Sequence, residues 1–114
     1  MPRVIGIHEF ELKPGVTEAE FEDAVRAFIR VDLSEGGDGA LTSLIKSDRG
    51  TRRGQYGLLI EFESVEARDS WFTDDGPTDK ANQFFARHPE WTTTWEHIQS
   101  LAIEPHPWSD YLVL

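Results

Sequence analysis

Cysteine is absent from the 114 residues, and methionine occurs once. Without a thiol there is no disulfide framework, no thiolate metal site and no cysteine nucleophile. Any metal would have to rest on the four His and the carboxylates. Basic residues are also scarce, 11 Lys and Arg against 21 Asp and Glu, for a formal net charge of -10. A field of that sign repels phosphate backbones at long range and argues against nucleic acid as a partner. Long hydrophobic runs are missing as well: no window approaches the ~18 apolar residues of a membrane span. Met1-Pro2-Arg3 leads into a short strand pattern broken by Gly6, His8 and Glu9, not into the apolar stretch of a signal peptide. A cytoplasmic protein with no membrane partner is expected.

What is present is enough to fold. Apolar residues make up 39% of the chain and include seven Phe, four Trp and two Tyr, too many for a disordered chain. The length suits one domain over residues 1–114, with roughly two-thirds of the unfolded chain's surface buried on folding.

The first segment, Val4 to Lys13, alternates in the manner of a two-faced strand. Val4, Gly6, His8, Phe10 and Leu12 share one face, and Ile5, Ile7, Glu9 and Glu11 the other. Lys13-Pro14-Gly15 makes a turn. Thr17 with Glu20 three residues on is a capping box, and Val16 can staple against Phe21. The helix that follows has Phe21, Ala24, Val25, Phe28 and Ile29 on one face, and Ser34-Glu35-Gly36-Gly37-Asp38-Gly39 ends it. Leu41 to Asp48 and Gln55 to Glu63 read as a hairpin around Arg49-Gly50-Thr51-Arg52-Arg53-Gly54. In its second strand Tyr56, Leu58, Ile60 and Phe62 share a face, opposite Gly57, Leu59 and Glu61. Ser64 caps a helix expected to run to about Thr73, with Val65, Trp71 and Phe72 as its buried contacts. Thr78 caps a further helix that Pro89 stops, and Trp91 to Ala102 keeps helical spacing, although its three consecutive Thr leave strand open. After Pro105 and Pro107 the chain ends in a short strand, Tyr111 to Leu114.

Strand, helix, hairpin, helix, further helix and strand is the order of an α+β, ferredoxin-like βαββαβ domain with an antiparallel sheet and its helices on one face. Two stretches sharpen this reading. Phe10-Glu11-Leu12-Lys13-Pro14-Gly15-Val16-Thr17-Glu18-Ala19-Glu20, and Leu58-Leu59-Ile60-Glu61-Phe62-Glu63-Ser64 leading into Val65-Glu66-Ala67, resemble the dimeric α+β barrel superfamily. That superfamily includes antibiotic-biosynthesis monooxygenases, haem-degrading monooxygenases, stress-responsive barrel proteins and muconolactone isomerases. The resemblance implies a homodimer in which two sheets meet face to face. Strand parity independently leaves a mixed face of Ile5, Ile7 and Leu59 that the protein's own helices would not cover, and such a patch asks for a partner. The other parity, which carries Phe10, Leu12, Tyr56, Leu58, Ile60 and Phe62 and with them His8, would pack under the helices.

In the monooxygenase-like members the reactive pocket lies between sheet and helices. The haem-degrading branch uses an Asn on the first strand, a Trp near the end of the third and a His on the second helix. Here His8 and Phe62 stand at the first two positions, and no His occurs from Ser64 to Arg87. Neither haem nor another cofactor is expected. His8 is the candidate catalytic residue, as acid, base or hydrogen-bond donor near neutral pH, or else a structural strand histidine. Phe10, Tyr56, Phe62 and Trp71 are candidates for binding a small apolar or aromatic ligand, with plain core packing as the alternative for Tyr56 and Trp71. His88, His97 and His106 beside Trp91, Trp95 and Trp108 suggest an aromatic, partly polar C-terminal wall, but lack the spacing of a metal site. Arg49, Arg52 and Arg53 form a basic hairpin tip that could hold an anion, pair with the partner subunit or simply be solvated. Two functions fit. One is an enzyme of the cofactor-independent monooxygenase or isomerase kind acting on a small aromatic or apolar metabolite. The other is a non-catalytic stress-related or ligand-binding module. An open cleft beside His8 would favour the first, and a cleft filled by Trp71, Phe84 and Phe85 the second.

Overall fold

The computed structural model describes residues 2–31 and 40–114. Four strands form the main sheet: β1 (Val4–Phe10), β2 (Leu41–Lys46), β3 (Tyr56–Phe62) and, at the C-terminus, β6 (Trp108–Leu112). Their order is β2-β3-β1-β6, and every neighbouring pair is antiparallel, the arrangement of a ferredoxin-like α+β fold. The β1–β3 register sets His8 opposite Leu58 and Ile7 opposite Leu59, so the two faces separate as the alternation predicts. Val4, Phe10, Tyr56, Leu58 and Phe62 are buried on the inner face.

Helix α1 (Glu18–Ile29) starts where expected, with the Thr17 hydroxyl accepting from the Glu20 amide, and buries Phe21, Ala24, Val25 and Phe28. The glycine-rich stretch from Ser34 to Gly39, read as its terminator, lies outside the described residues. The helix expected from Ser64 to Thr73 is shorter. Ser64 caps α2, which spans only Val65–Asp69. The chain then forms a two-stranded hairpin of β4 (Phe72–Thr73) and β5 (Gly76–Pro77). Gly76, paired with Thr73 across this hairpin, takes φ of 109°, a conformation open to glycine. Trp71 is buried as expected, but from this connection and not from a helix.

Thr78 caps α3 (Asp79–Arg87), and Pro89, which stops it, opens α4 (Pro89–Ser100) at its first helical position. The alternative of strand for this last segment is overruled because Trp91, Trp95 and Ile98 bury one helical face against α1 and the sheet. The C-terminal strand starts earlier than expected, at Trp108.

Two hydrophobic clusters lie on the inner face. One joins Phe10, Tyr56 and Leu58 to α1 and to Ile98, Leu101 and Ala102. The other joins Val4 and Phe62 to Ala40, Trp71, Ala81 and Phe84. Ile60 and Trp91 touch both. On the outer face the described helices cover nothing, and Leu41 is 62%, Ile45 38% and Tyr111 55% exposed there.

Candidate functional site

Between the two clusters the inner sheet face is incompletely filled, and a cleft of about 620 Å³ opens there. Volumes of roughly 300–1,000 Å³ are those of small-molecule sites. Strand alternation puts Gly6 and His8 of β1, Ile60 and Phe62 of β3, and Trp108 and Asp110 of β6 on its floor. The roof comes from the helices. Phe28 projects from α1, and Trp91 and Trp95, one turn apart on α4, point the same way. One end is closed by Arg68 and Asp69 of α2 and by the β4–β5 hairpin through Phe72, Thr73, Asp74 and Gly76.

His8 sits among rings. Its imidazole meets Trp95 edge-on at 5.2 Å and stacks on Trp108 at 6.0 Å, while Phe28 packs on both Trp91 and Trp95 at 5.3 Å. Burial among these groups pushes the His8 pKa below its ordinary 6.5; the nearby Asp110 carboxylate opposes that shift and His106 adds to it. His8 is therefore mainly neutral at pH 7, the state in which an imidazole can accept a proton.

The polar end of the cleft is a chain of ion pairs. Arg68 donates from Nη1 to Asp110 Oδ2 at 2.5 Å and from Nε to Asp69 Oδ1 at 2.6 Å. This links α2 to the edge strand β6 across the floor. Gly6 makes the link possible: a Cβ at that position would stand 2.8 Å from Asp110 Oδ1, so the carboxylate lies over a strand residue without a side chain. Asp110 pairs with Gly6 and Trp108 with His8 in the β1–β6 register, which makes His8 and Asp110 diagonal neighbours on one face.

Of the five residues singled out in the sequence, His8 and Phe62 line the cleft. The structure does not bring the other three to it. Phe10 is packed against Phe21, Trp95 and His106 inside the first cluster. Tyr56 lies at the far side of that cluster, its hydroxyl donating to Glu22 Oε2 at 2.5 Å and close to Glu18 Oε2 at 3.3 Å. Burial first, and these carboxylates second, keep its hydroxyl protonated well above the ordinary phenol range. Trp71 belongs to the second cluster, edge-on to Phe84 at 5.4 Å, with Lys80 Nζ over its ring. The aromatic C-terminal wall is real in that Trp91, Trp95 and Trp108 all line the cleft. His106 bonds the Ala102 carbonyl through Nε2 at 3.3 Å, and His88 lies against Glu90. At the hairpin tip Arg52 pairs with Glu9 at 3.0 Å. Sequence reasoning missed Arg68 and Asp110. The signal for Asp110 was the alternation Trp108, Asp110, Leu112 on the last strand, which a start at Tyr111 cut off.

Among the described residues no group of three His, Cys, Asp or Glu is arranged to hold a metal ion, and no helix is long and apolar enough to cross a membrane.

The fold is ferredoxin-like, and solved structures share it over nearly the whole chain. A dimeric ferredoxin-like protein of unknown function from Thermobifida fusca matches with a TM-score of 0.61 and 10% identity, over 98% of this chain and 92% of that one. A protein from Nitrosomonas europaea, provisionally called an antibiotic biosynthesis monooxygenase, matches with a TM-score of 0.60 and 16% identity over 98% and 90%. The hydroxynitrile lyase from Passiflora edulis matches with a TM-score of 0.61 and 9% identity over 98% and 94%. At such identities the likeness is one of fold. No family model matches the sequence, and no curated protein does.

Proposed function

We propose that this protein is a homodimeric small-molecule enzyme of the cofactor-independent monooxygenase or isomerase kind, acting on a small aromatic or apolar metabolite bound in the cleft beside His8. The observation that carries this reading is the open cleft itself. Its walls are largely aromatic, His8 is the one histidine among the described residues that line it, and Trp71, Phe84 and Phe85 are packed in the second cluster and do not fill it. Removing a proton from a carbon or oxygen acid is the step that isomerisation and cofactor-free oxygenation share, and a neutral imidazole among aromatic rings is suited to it. Asp110, diagonal to His8, would steady the imidazolium that forms.

The dimer is supported by the outer sheet face. Ile5, Ile7 and Leu59 are only half-buried there, and Leu41, Ile45 and Tyr111 extend the apolar surface on both sides. The Thermobifida fusca neighbour is described as dimeric. The test of function is a screen of small aromatic metabolites against wild type and His8→Ala, read by thermal shift and by product formation in air. A hit that binds the wild type, is turned over by it, and is neither bound nor turned over by a folded His8→Ala supports the enzyme. Binding that survives the substitution unchanged sinks it, and binding without turnover of any hit favours the non-catalytic module.

A further inference from the structure

The cleft has a charge as well as a shape. Among the described residues that line it, Arg68 is the one permanent cation, against the three carboxylates of Asp69, Asp74 and Asp110. Arg68 spends two of its donor nitrogens on Asp69 and Asp110, so an incoming anion would meet a guanidinium already surrounded by negative charge. Asp110 Oδ2 takes the Arg68 bond, while Oδ1 lies over Gly6 with no hydrogen bond from any described residue. Trp91, Trp95 and Trp108 line the same cleft, Trp108 two residues from Asp110 on one face of β6 and Trp95 against the neighbouring His8, and indole is the side chain whose π-face attracts a cation best. The chain as a whole adds a net charge of -10, which concentrates cations and repels anions on approach.

We infer that the cleft selects ligands carrying a protonated amine on an aromatic or apolar body, the ammonium lying between Asp110 and the tryptophans and the body against Phe28 and Phe62. This rests on the reading of the cleft as a small-molecule site and adds the charge of the ligand to it. The ammonium replaces part of its lost hydration with the free oxygen of Asp110 and the indole faces. A carboxylate in the same place would have neither.

Three probes of one shape test this by calorimetry on the wild-type protein at pH 7 and low salt: 2-phenylethylamine, 2-phenylethanol and 3-phenylpropionate. The amine should bind about tenfold or more tightly than the alcohol, the carboxylate most weakly of the three, and added salt should narrow the spread. In Asp110→Asn the advantage of the amine over the alcohol should shrink. Equal binding of amine and alcohol, or preferred binding of the carboxylate, overturns the inference but leaves the cleft as a binding site. Binding of none of the three overturns both. The wild-type comparison needs no variant, so a failure of Asp110→Asn to fold does not blunt it.

Discussion

Leu58 and Leu59 are adjacent on β3 and point to opposite sides of the sheet, so the same substitution at each should give different failures. Leu58 is fully buried under the helices and faces Leu44 and His8 across the strands. Leu58→Asp places an unpaired carboxylate in the first cluster and should cost more than about 4 kcal/mol, enough to unfold a domain of ordinary stability. Leu59 is opposite Ile7 and Ser43 on the outer face, in the middle of the surface assigned to the dimer. Burying a leucine contributes about 1.5–3 kcal/mol, and a twofold interface uses each residue twice. Since part of Leu59 is already covered within one chain, the lower figure applies, and Leu59→Asp removes about 3 kcal/mol of dimer stability, roughly a hundredfold in Kd. Light scattering coupled to size exclusion reads the mass directly. Leu59→Asp at low micromolar concentration should fall from twice the 13.0 kDa chain mass toward a single chain, with its far-ultraviolet dichroism intact. A folded Leu59→Asp dimer would refute the placing of the interface, and a folded Leu58→Asp would refute the sidedness of the sheet.

Other consequences concern the interior. Tyr56→Phe removes the hydroxyl that bonds Glu22 and should lower stability by about 1 kcal/mol while leaving ligand affinity unchanged; lost binding would return Tyr56 to the site. Thr17→Ala deletes the cap on the Glu20 amide and should cost about 0.5–2 kcal/mol in urea unfolding, with an unchanged denaturant slope. The folded pKa of His8 lies below 6.5, so the unfolded chain binds the extra proton first as pH falls. The His8 contribution to stability is thus whole above pH 6.5 and is lost on going down from there to the folded pKa. Melting curves from pH 7.5 to 5 should show a drop that His8→Ala lacks, whereas identical profiles would mean that His8 is not held neutral by burial.

Much of the fold could be read from the sequence because the local signals agreed with one another. Thr17 capped α1 and Thr78 capped α3 as expected, and the period-2 pattern of β1 and β3 put the correct residues inside. The Trp71–Phe72 segment misled because two aromatics about two turns after a capping serine look like the end of the helix it starts. Only the turn at Asp74-Asp75-Gly76 shows that the chain doubles back. The site was half legible. His8 was found by its parity, since a polar residue on an otherwise apolar face is conspicuous. Phe10 and Tyr56 obeyed the same parity, and Trp71 is buried as read, but they lie in the two hydrophobic clusters and not in the cleft, a placing that depends on how the helices cross the sheet and leaves no mark on sequence spacing. Arg68 and Asp110 are 42 residues apart and meet only because β6 returns beside β1.

The four tryptophans offer the most direct measurement, because Trp91, Trp95 and Trp108 line the cleft while Trp71 is buried outside it. In a nitrogen-15 NMR titration with 2-phenylethylamine and 2-phenylethanol, the indole signals of Trp95 and Trp108 and the imidazole of His8 should shift together and saturate. The indole of Trp71 should stay in place. Shifts confined to Trp71 or to the amides of Ile5, Ile7 and Leu59, or no saturable shift with either probe, would contradict a small-molecule site beside His8.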